Sequence, residues 1–515
     1  MPKRSTGCFE CRKRKVRCDE ARPECNICLR RGTKCPGYRP AQSFILHKFD
    51  EQTDRPELIK EDESRYKYAN HSPATAASSA RNSLSQAAAA RRPSAEEKPV
   101  DVSLPKRVSS IAADRIQHVG TFIALYLPKA DGPALPPPSA LMLSLPTMQA
   151  NSDVLLAAVD ALCAAQLAVD NRNHPLINRS RSLYGTALTQ MLKAIQDPTT
   201  AIKDETLLST YLLTLYEVFV GVTQGHGFFY HVQGLLHLLK QRGPESFQTR
   251  LSLQIFHAIR YNSLSIGYLM RKASMLDSPE WLAVTVRAAR FDPYVALQDI
   301  CISIPRLLER TDNLARNGNG PRGKMDALIS DSEQLANRAF DWLSNFEKNG
   351  PRYDAVPLAT FDSFFAICSD AAVFDPVFDF HYFDAGICYM IYWMSMLILQ
   401  GNTFRLVRQH QRLDLKQLMI WDRQLGSYAD SICRSIPYHC RPVTGYTAKF
   451  GSLTPLLVAR KYYEMKGSSK APESKWCENV YLGARVPGLY QEPVALEPFE
   501  QVKNTVMQQD SRKYI

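Results

Sequence analysis

Six cysteines near the N-terminus carry the first chemistry visible in this sequence: Cys8, Cys11, Cys18, Cys25, Cys28 and Cys35. Their spacing is Cys-x2-Cys-x6-Cys, written twice with six residues between the halves, so the stretch is an internal repeat. A pair two residues apart lets both thiolates reach one metal from a tight turn or a first helical turn. Six ligands do not suit a single tetrahedral zinc, and two independent four-coordinate zincs need eight. The count balances when two cysteines bridge both metals, and the repeat symmetry makes Cys8 and Cys25 the natural bridges. One Zn2+ then takes Cys8, Cys11, Cys18 and Cys25, and the second takes Cys8, Cys25, Cys28 and Cys35. So few residues cannot fold on apolar burial alone, so the two ions must supply the stability.

Between Cys11 and Cys18 runs Arg12-Lys13-Arg14-Lys15-Val16-Arg17, five cations in six residues. On a short helix starting at the first cysteine pair they would project as one cationic knob. Such a helix fits the DNA major groove, where Lys or Arg bonds guanine O6 and N7. The plainer readings are a solvated basic face or a nuclear import signal. A zinc cluster that rigidifies the helix favours DNA contact, and import is compatible with it.

The chain that must position these residues has 515 residues, 45% hydrophobic and 22% charged, which allows two or three globular domains and excludes wholesale disorder. Its net charge of +12 is concentrated: residues 1–40 hold twelve Lys/Arg against four acids. An anionic partner follows from that asymmetry. Residues 41–68 are polar and mixed, and 69–110 are rich in Ala, Ser, Pro and Arg. The whole of 41–110 reads as a flexible, low-complexity linker. No apolar core of a secretory signal is visible. The best membrane candidate, Ala385–Leu399, is short of a bilayer span and reads as a buried helix, so no membrane partner is expected. A reducing compartment is the default, so clustered cysteines should be ligands and not disulfides.

From Ile111 onward the pattern is helical. Leu207/Leu208, Tyr211/Leu212, Leu215/Tyr216 and Phe219 recur every four residues between Asp204, placed to cap, and Gly221. Phe229–Arg242 repeats the period and stops at Gly243-Pro244. Leu251–Met270, Met325–Phe346, Phe383–Leu399 and Leu413–Ile432 behave alike. With few alternating runs and no strand–glycine-loop–helix unit, the reading is an all-α domain over 111–515.

Residues 8–35 resemble the fungal Zn2Cys6 binuclear cluster transcription factors in every cysteine spacing, and Pro23 stands where that family has its loop proline. The resemblance implies a small zinc-stabilised α module over residues 1–40 that reads CGG-type triplets in double-stranded DNA. Lys15 falls on the base-reading position, Arg14 beside it, and Arg12 and Arg17 on backbone-contacting positions. Arg14 departs from the lysine common in that family, which leaves the base contacts divided between Arg14 and Lys15. Leu29-Arg30-Arg31-Gly32-Thr33-Lys34, in the second half, suits phosphate contact. The run Leu207–Phe219 with Phe229–Leu236, and less closely Ile432–Tyr438 leading to Pro455-Leu456, resembles the fungal-specific transcription factor regulatory domain. That implies a helical domain that regulates activation, in some members by sensing a small-molecule effector. Together these resemblances imply a nuclear transcription factor for RNA polymerase II genes that recruits the transcription machinery and controls a metabolic or secondary-metabolite gene set.

No three apolar heptads can be written from 36 to 110, so an N-terminal zipper is not expected; a homodimer would form through the helical domain. Other chemistry is thin. His226, His231 and His237, five and six apart, do not stack as zinc ligands and read as packing or surface residues. His381 and Asp384 share a helix face as a surface pair. Phe228, Phe229, Tyr230, Tyr389, Tyr392 and Trp393 read as core. Cys163, Cys301, Cys368, Cys388, Cys433, Cys440 and Cys477 read as small hydrophobes. Arg91-Arg92-Pro93-Ser94 is a weak kinase-site match. No hydrolase, metalloprotease, phosphate-loop or dinucleotide motif occurs, so an enzyme is not expected. The alternative class is a zinc-stabilised basic module, or co-regulator, that grips an acidic protein without reading DNA sequence.

Overall fold

The computed structural model describes residues 8–19, 21, 25–33, 35, 47–49, 56–58, 111–129, 136–148, 152–170, 173–220, 226–316, 322–368, 371–410 and 412–483. The chain divides into two compact units, residues 1–108 and 109–515.

The first unit holds α1 (Phe9–Lys13) and α2 (Asn26–Leu29). Strands β1 (His47–Phe49) and β2 (Pro56–Leu58) pair antiparallel, with Phe49 opposite Pro56. That hairpin lies inside the stretch read as linker. Its ladder needs only backbone groups, which a polar, aperiodic sequence supplies as well as an apolar one. Residues 59–110, including Arg91–Ser94, lie outside the described residues.

The second unit is helical. In chain order its main elements are α3 (Ile111–Tyr126), α4 (Asp153–Asp170), α5 (His174–Gln196), α6 (Asp204–Val220), α7 (His226–Arg242), α8 (Arg250–Met270), α9 (Pro293–Cys301), α10 (Ile304–Arg316) and α11 (Arg322–Phe346). After a strand pair come α12 (Phe383–His410), α13 (Leu415–His439), α14 (Gly445–Met465) and α15 (Ala471–Gly483). Local chemistry marks several starts. Thr249 and Ser252 form a reciprocal capping box on α8, as Asp414 and Gln417 do on α13. Asp292 caps α9 with Pro293 at its first position. Gly243, at φ +78°, closes α7. Asp204 does not act as the expected cap. It is the first residue of α6, and its carboxylate binds the Arg242 guanidinium at the far end of α7, 2.5 Å away. An acid at one helix N-terminus thus meets a cation at another's C-terminus, where both helix dipoles favour them.

One apolar core runs through the unit, from Phe122 of α3 and Phe219 of α6 to Tyr389 of α12 and Trp476 of α15. α12 is long and apolar enough to cross a membrane by length and composition, yet 83% of its apolar window is buried among α11, α13 and α14. It is the central core helix. The all-α expectation misses one element: β3 (Tyr353–Val356) pairs antiparallel with β4 (Val377–Phe380), Tyr353 opposite Phe380. Each strand is four residues long and its partner is distant in sequence, so no alternating run announces it. The Tyr353 ring packs on Phe378 at 4.3 Å and edge-on to Trp393 of α12, which seats the hairpin on the core.

Candidate metal centre and nucleic-acid interface

The six cysteines of the first unit gather into one cluster, with five of them buried and Cys18 half-buried. Both halves of the repeat build the same small device. Cys25 is the N-cap of α2, and its sulfur accepts the Cys28 N–H at 3.3 Å. Cys8 stands just before α1, and its sulfur accepts the Cys11 N–H at 3.4 Å. A sulfur at a helix start gains from the free N–H groups there, which favour its anionic form.

The halves also end alike. Cys11 C=O accepts the Val16 N–H at 3.0 Å, and Cys28 C=O accepts the Thr33 N–H at 3.1 Å. Each is the six-to-one bond of a Schellman cap, which needs a left-handed residue one position earlier. In the second half that residue is Gly32, at φ +65°; in the first it is Lys15, at φ +55°. The cap turns the chain so that the third cysteine of each half returns to the metal position.

Two foursomes result: Cys8, Cys11, Cys18 and Cys25, and Cys8, Cys25, Cys28 and Cys35, with the sulfurs in each within 4.8 Å of one another. They share Cys8 and Cys25, whose sulfurs lie 3.6 Å apart; Cys8–Cys28 is 3.8 Å and Cys11–Cys25 is 3.7 Å. Sulfurs each about 2.3 Å from a tetrahedral zinc stand about 3.8 Å apart, so the cages have the size of the ion. Thiols packed this closely resist ionisation. Burial raises Cys8 and Cys11, and the Cys25 contact followed by burial pushes Cys28 up to about 12. A bound dication supplies the charge that reverses this. The donor set and the spacing both fit zinc. Among the described residues, no other His, Cys, Asp or Glu group is close enough to share an ion.

The basic run is not one helix, contrary to the single helical knob expected. Only Arg12 and Lys13 lie on α1; Arg14, Lys15 and Arg17 follow in the turn and the extended return to Cys18. The ligand spacing forces this, because a helix continued past Lys13 would carry Cys18 away from the cluster. Lys13, Lys15 and Arg17 are exposed and Arg14 is half-buried, while Arg30 and Arg31 stand exposed on the second half.

The candidates in the helical unit do not converge. His231 Nε2 meets the Tyr184 hydroxyl at 2.8 Å, and that hydroxyl donates to Glu217 at 2.6 Å; His237 meets Gln241 on the surface. The side chain of His226 lies outside the described residues. His381 pairs with Asp354 of β3 at 3.3 Å and not with Asp384, because the hairpin brings Asp354 closer. Asp384 sits half-buried at the start of α12, where burial raises its carboxyl to about 6. Tyr389, Tyr392 and Trp393 are core residues, and Phe228 and Phe229 pack on a small cluster with Val232, Ile266 and Met270, but Tyr230, read as core, is exposed. All seven remaining cysteines are buried, and burial pushes Cys301 up to about 11 and Cys440 up to about 12. Cys433 and Cys477 lie 3.6 Å apart, a pairing that their separation of 44 positions hides from the sequence.

Residues 6–43 match the fungal Zn(2)-Cys(6) binuclear cluster domain, and residues 137–356 match the fungal specific transcription factor domain. The chain belongs to the fungal Zn2Cys6 transcription factor family, whose cluster binds two zinc ions through six cysteines. It is 56% identical over 34 residues to the aspercryptin biosynthesis cluster-specific transcription regulator atnN of Emericella nidulans, covering 7% of this chain and 6% of that protein. Over 44 residues it is 52% identical to the Zn(2)-C6 fungal-type transcription factor afumD of Aspergillus fumigatus, 8% of this chain and 12% of that one. A longer match, 25% over 186 residues, joins 34% of this chain to 40% of an uncharacterized protein of Emericella nidulans. The matches thus span well under two thirds of these relatives. No solved structure matches.

Proposed function

We propose that this protein is a nuclear, sequence-specific DNA-binding regulator of transcription, with a two-zinc head that reads CGG-type triplets and a helical domain that regulates or recruits. The observation that carries the reading is the cationic loop Lys13–Arg17, closed between two cysteines of the cluster with Lys15 in a left-handed conformation that glycine occupies in the other half. Backbone strain of this kind persists where the surroundings and a function hold it. In this reading Cys8 and Cys25 bridge the two zincs, Cys11 and Cys18 complete one site, and Cys28 and Cys35 complete the other. Lys15 and Arg14 reach base edges, while Arg12, Lys13 and Arg17, with Arg30 and Arg31 of the second half, hold phosphate. Control of RNA polymerase II genes of a metabolic or secondary-metabolite set is supported by the name of the aspercryptin-cluster relative, through the head alone. No catalytic role is proposed for the helical domain, and a homodimer would have to form through it.

The test is selection of bound sites from randomised double-stranded DNA by the zinc-loaded full chain. Enrichment of CGG-like triplets is expected: one triplet for a monomer, two at fixed spacing for a dimer. Unenriched binding that vanishes in moderate salt would overturn the reading in favour of a basic module for an acidic protein.

A further inference from the structure

The first turns of α13 display an apolar row that nothing among the described residues covers. Leu415, Met419 and Ile420 are 74%, 57% and 56% exposed. Leu415 and Met419 are four residues apart and share one face of the helix, while Ile420, the next residue, lies about 100° further round, with Lys416 and Arg423 between it and Met419. The opposite face is the packed one: Leu425 and Tyr428 enter the core, and Trp421 packs on Phe404 of α12 at 5.4 Å. The row is not a frayed end. The Asp414–Gln417 capping box fixes the helix start, and Lys466, just past the end of α14, binds Asp422 two residues past Ile420.

The charge around the row is predominantly positive. Arg412, Lys416 and Arg423 are exposed and form no ion pair among the described residues. Of the neighbouring acids, Asp422 holds Lys466, while the Asp414 carboxylate accepts only the neutral Gln417 N–H, so the cations are in excess. An exposed face that sets Leu415, Met419 and Ile420 beside unpaired cations is the complement of an amphipathic helix that carries apolar residues on one face and carboxylates among and beside them. A second copy does not fit, because a two-fold contact would set Lys416 and Arg423 against the same cations of the other copy.

We propose that this face of α13 is a docking surface for an acidic amphipathic helix of a partner protein. The inference does not rest on the DNA-reading assignment, and thermal melting of the helical unit serves as the folding control. The probe is a labelled helical peptide with leucines at i, i+4 and i+7 and glutamates flanking them, titrated into the zinc-loaded full chain and followed by fluorescence anisotropy. Saturable binding is expected, weakened about tenfold or more by Leu415→Gln/Met419→Gln/Ile420→Gln and by Lys416→Glu/Arg423→Glu. Both variants change only exposed side chains and should keep wild-type melting and DNA affinity. The Lys416→Glu/Arg423→Glu variant should instead favour a peptide with lysines in place of the glutamates. Equal binding of both peptides by the wild-type chain, or unchanged affinity in the triple variant, would overturn the proposal. So would a photo-cross-linker at Met419 that captures residues 484–515 of this chain or a second copy instead of the peptide.

Discussion

Thirteen cysteines serve two different physical ends in the two units of this protein. In the first unit six of them, within 28 residues, gather into one cluster, five buried and Cys18 half-buried, with Ile27 packed beside it among the described residues. In the second unit seven are dispersed through a core of several hundred residues, where they fill space, and burial raises the thiols of Cys163, Cys301, Cys388, Cys433 and Cys440. The first unit is organised by ligand geometry and the second by apolar area. The lesson is that spacing decides what a cysteine does: crowded sulfurs need a cation, whereas isolated ones are content as small hydrophobes.

The sharpest way to break this contrast is to remove the metal. Chelation, or Cys25→Ala, should abolish the structure of the first unit and its DNA affinity while leaving thermal unfolding of the helical unit in place. Zinc stoichiometry refines it: Cys25→Ala should lose both ions, and Cys11→Ala one ion first. Equal loss in the two variants would refute the bridging arrangement.

The mirror experiment attacks the helical unit. Arg260 is fully buried and held by Asp299, which also accepts the Thr285 hydroxyl at 2.8 Å. Asp299→Ala leaves that guanidinium unpaired in the interior and should cost about 3–5 kcal/mol, read by urea unfolding. Zinc content should not change; if it fell, the two units would not be energetically separate in the way proposed.

Acid gives a third test. His257 and His439 are buried, and burial lowers them to about 3 and about 4. His439 donates Nδ1–H to Ser435 C=O at 2.9 Å, which leaves its other nitrogen buried. Their folded values lie below the ordinary histidine value, so the unfolded chain takes up protons first. The stability they confer is complete above about pH 6.5 and falls as pH drops toward 4, by up to about 1.4 kcal/mol per pH unit for each histidine. A flat stability profile over that window would show that neither stays neutral in the fold.

The smallest effect is the most specific. Lys15→Gly relieves the left-handed backbone and should stabilise the zinc-loaded first unit by about 1 kcal/mol, while Lys15→Ala should not. Both should weaken binding to the selected DNA site. Retention of full affinity by Lys15→Gly would mean that the lysine is tolerated at that turn and not used there.

The sequence alone determined what depends on near neighbours. The doubled Cys-x2-Cys-x6-Cys spacing announced a two-metal centre, and four-residue apolar periods placed α6, α7, α8, α11, α12 and α13 to within a turn or so at most of their ends. The ends of α12 and α13 are the exceptions: α12 runs on past Leu399 to His410 and α13 past Ile432 to His439, where the apolar pattern is interrupted but tertiary packing carries the helices through. What only the tertiary structure decided are contacts between residues far apart in the chain. β3 meets β4, His381 takes Asp354 in preference to Asp384, Cys433 lies against Cys477, and no described residue covers the row on α13. Such choices depend on which helix faces are already covered, and no local period records that. The turn at Lys15 belongs with them. A lysine there reads as one more charge in a helix, until the need to return Cys18 to the cluster ends the helix and places that lysine in a glycine's conformation.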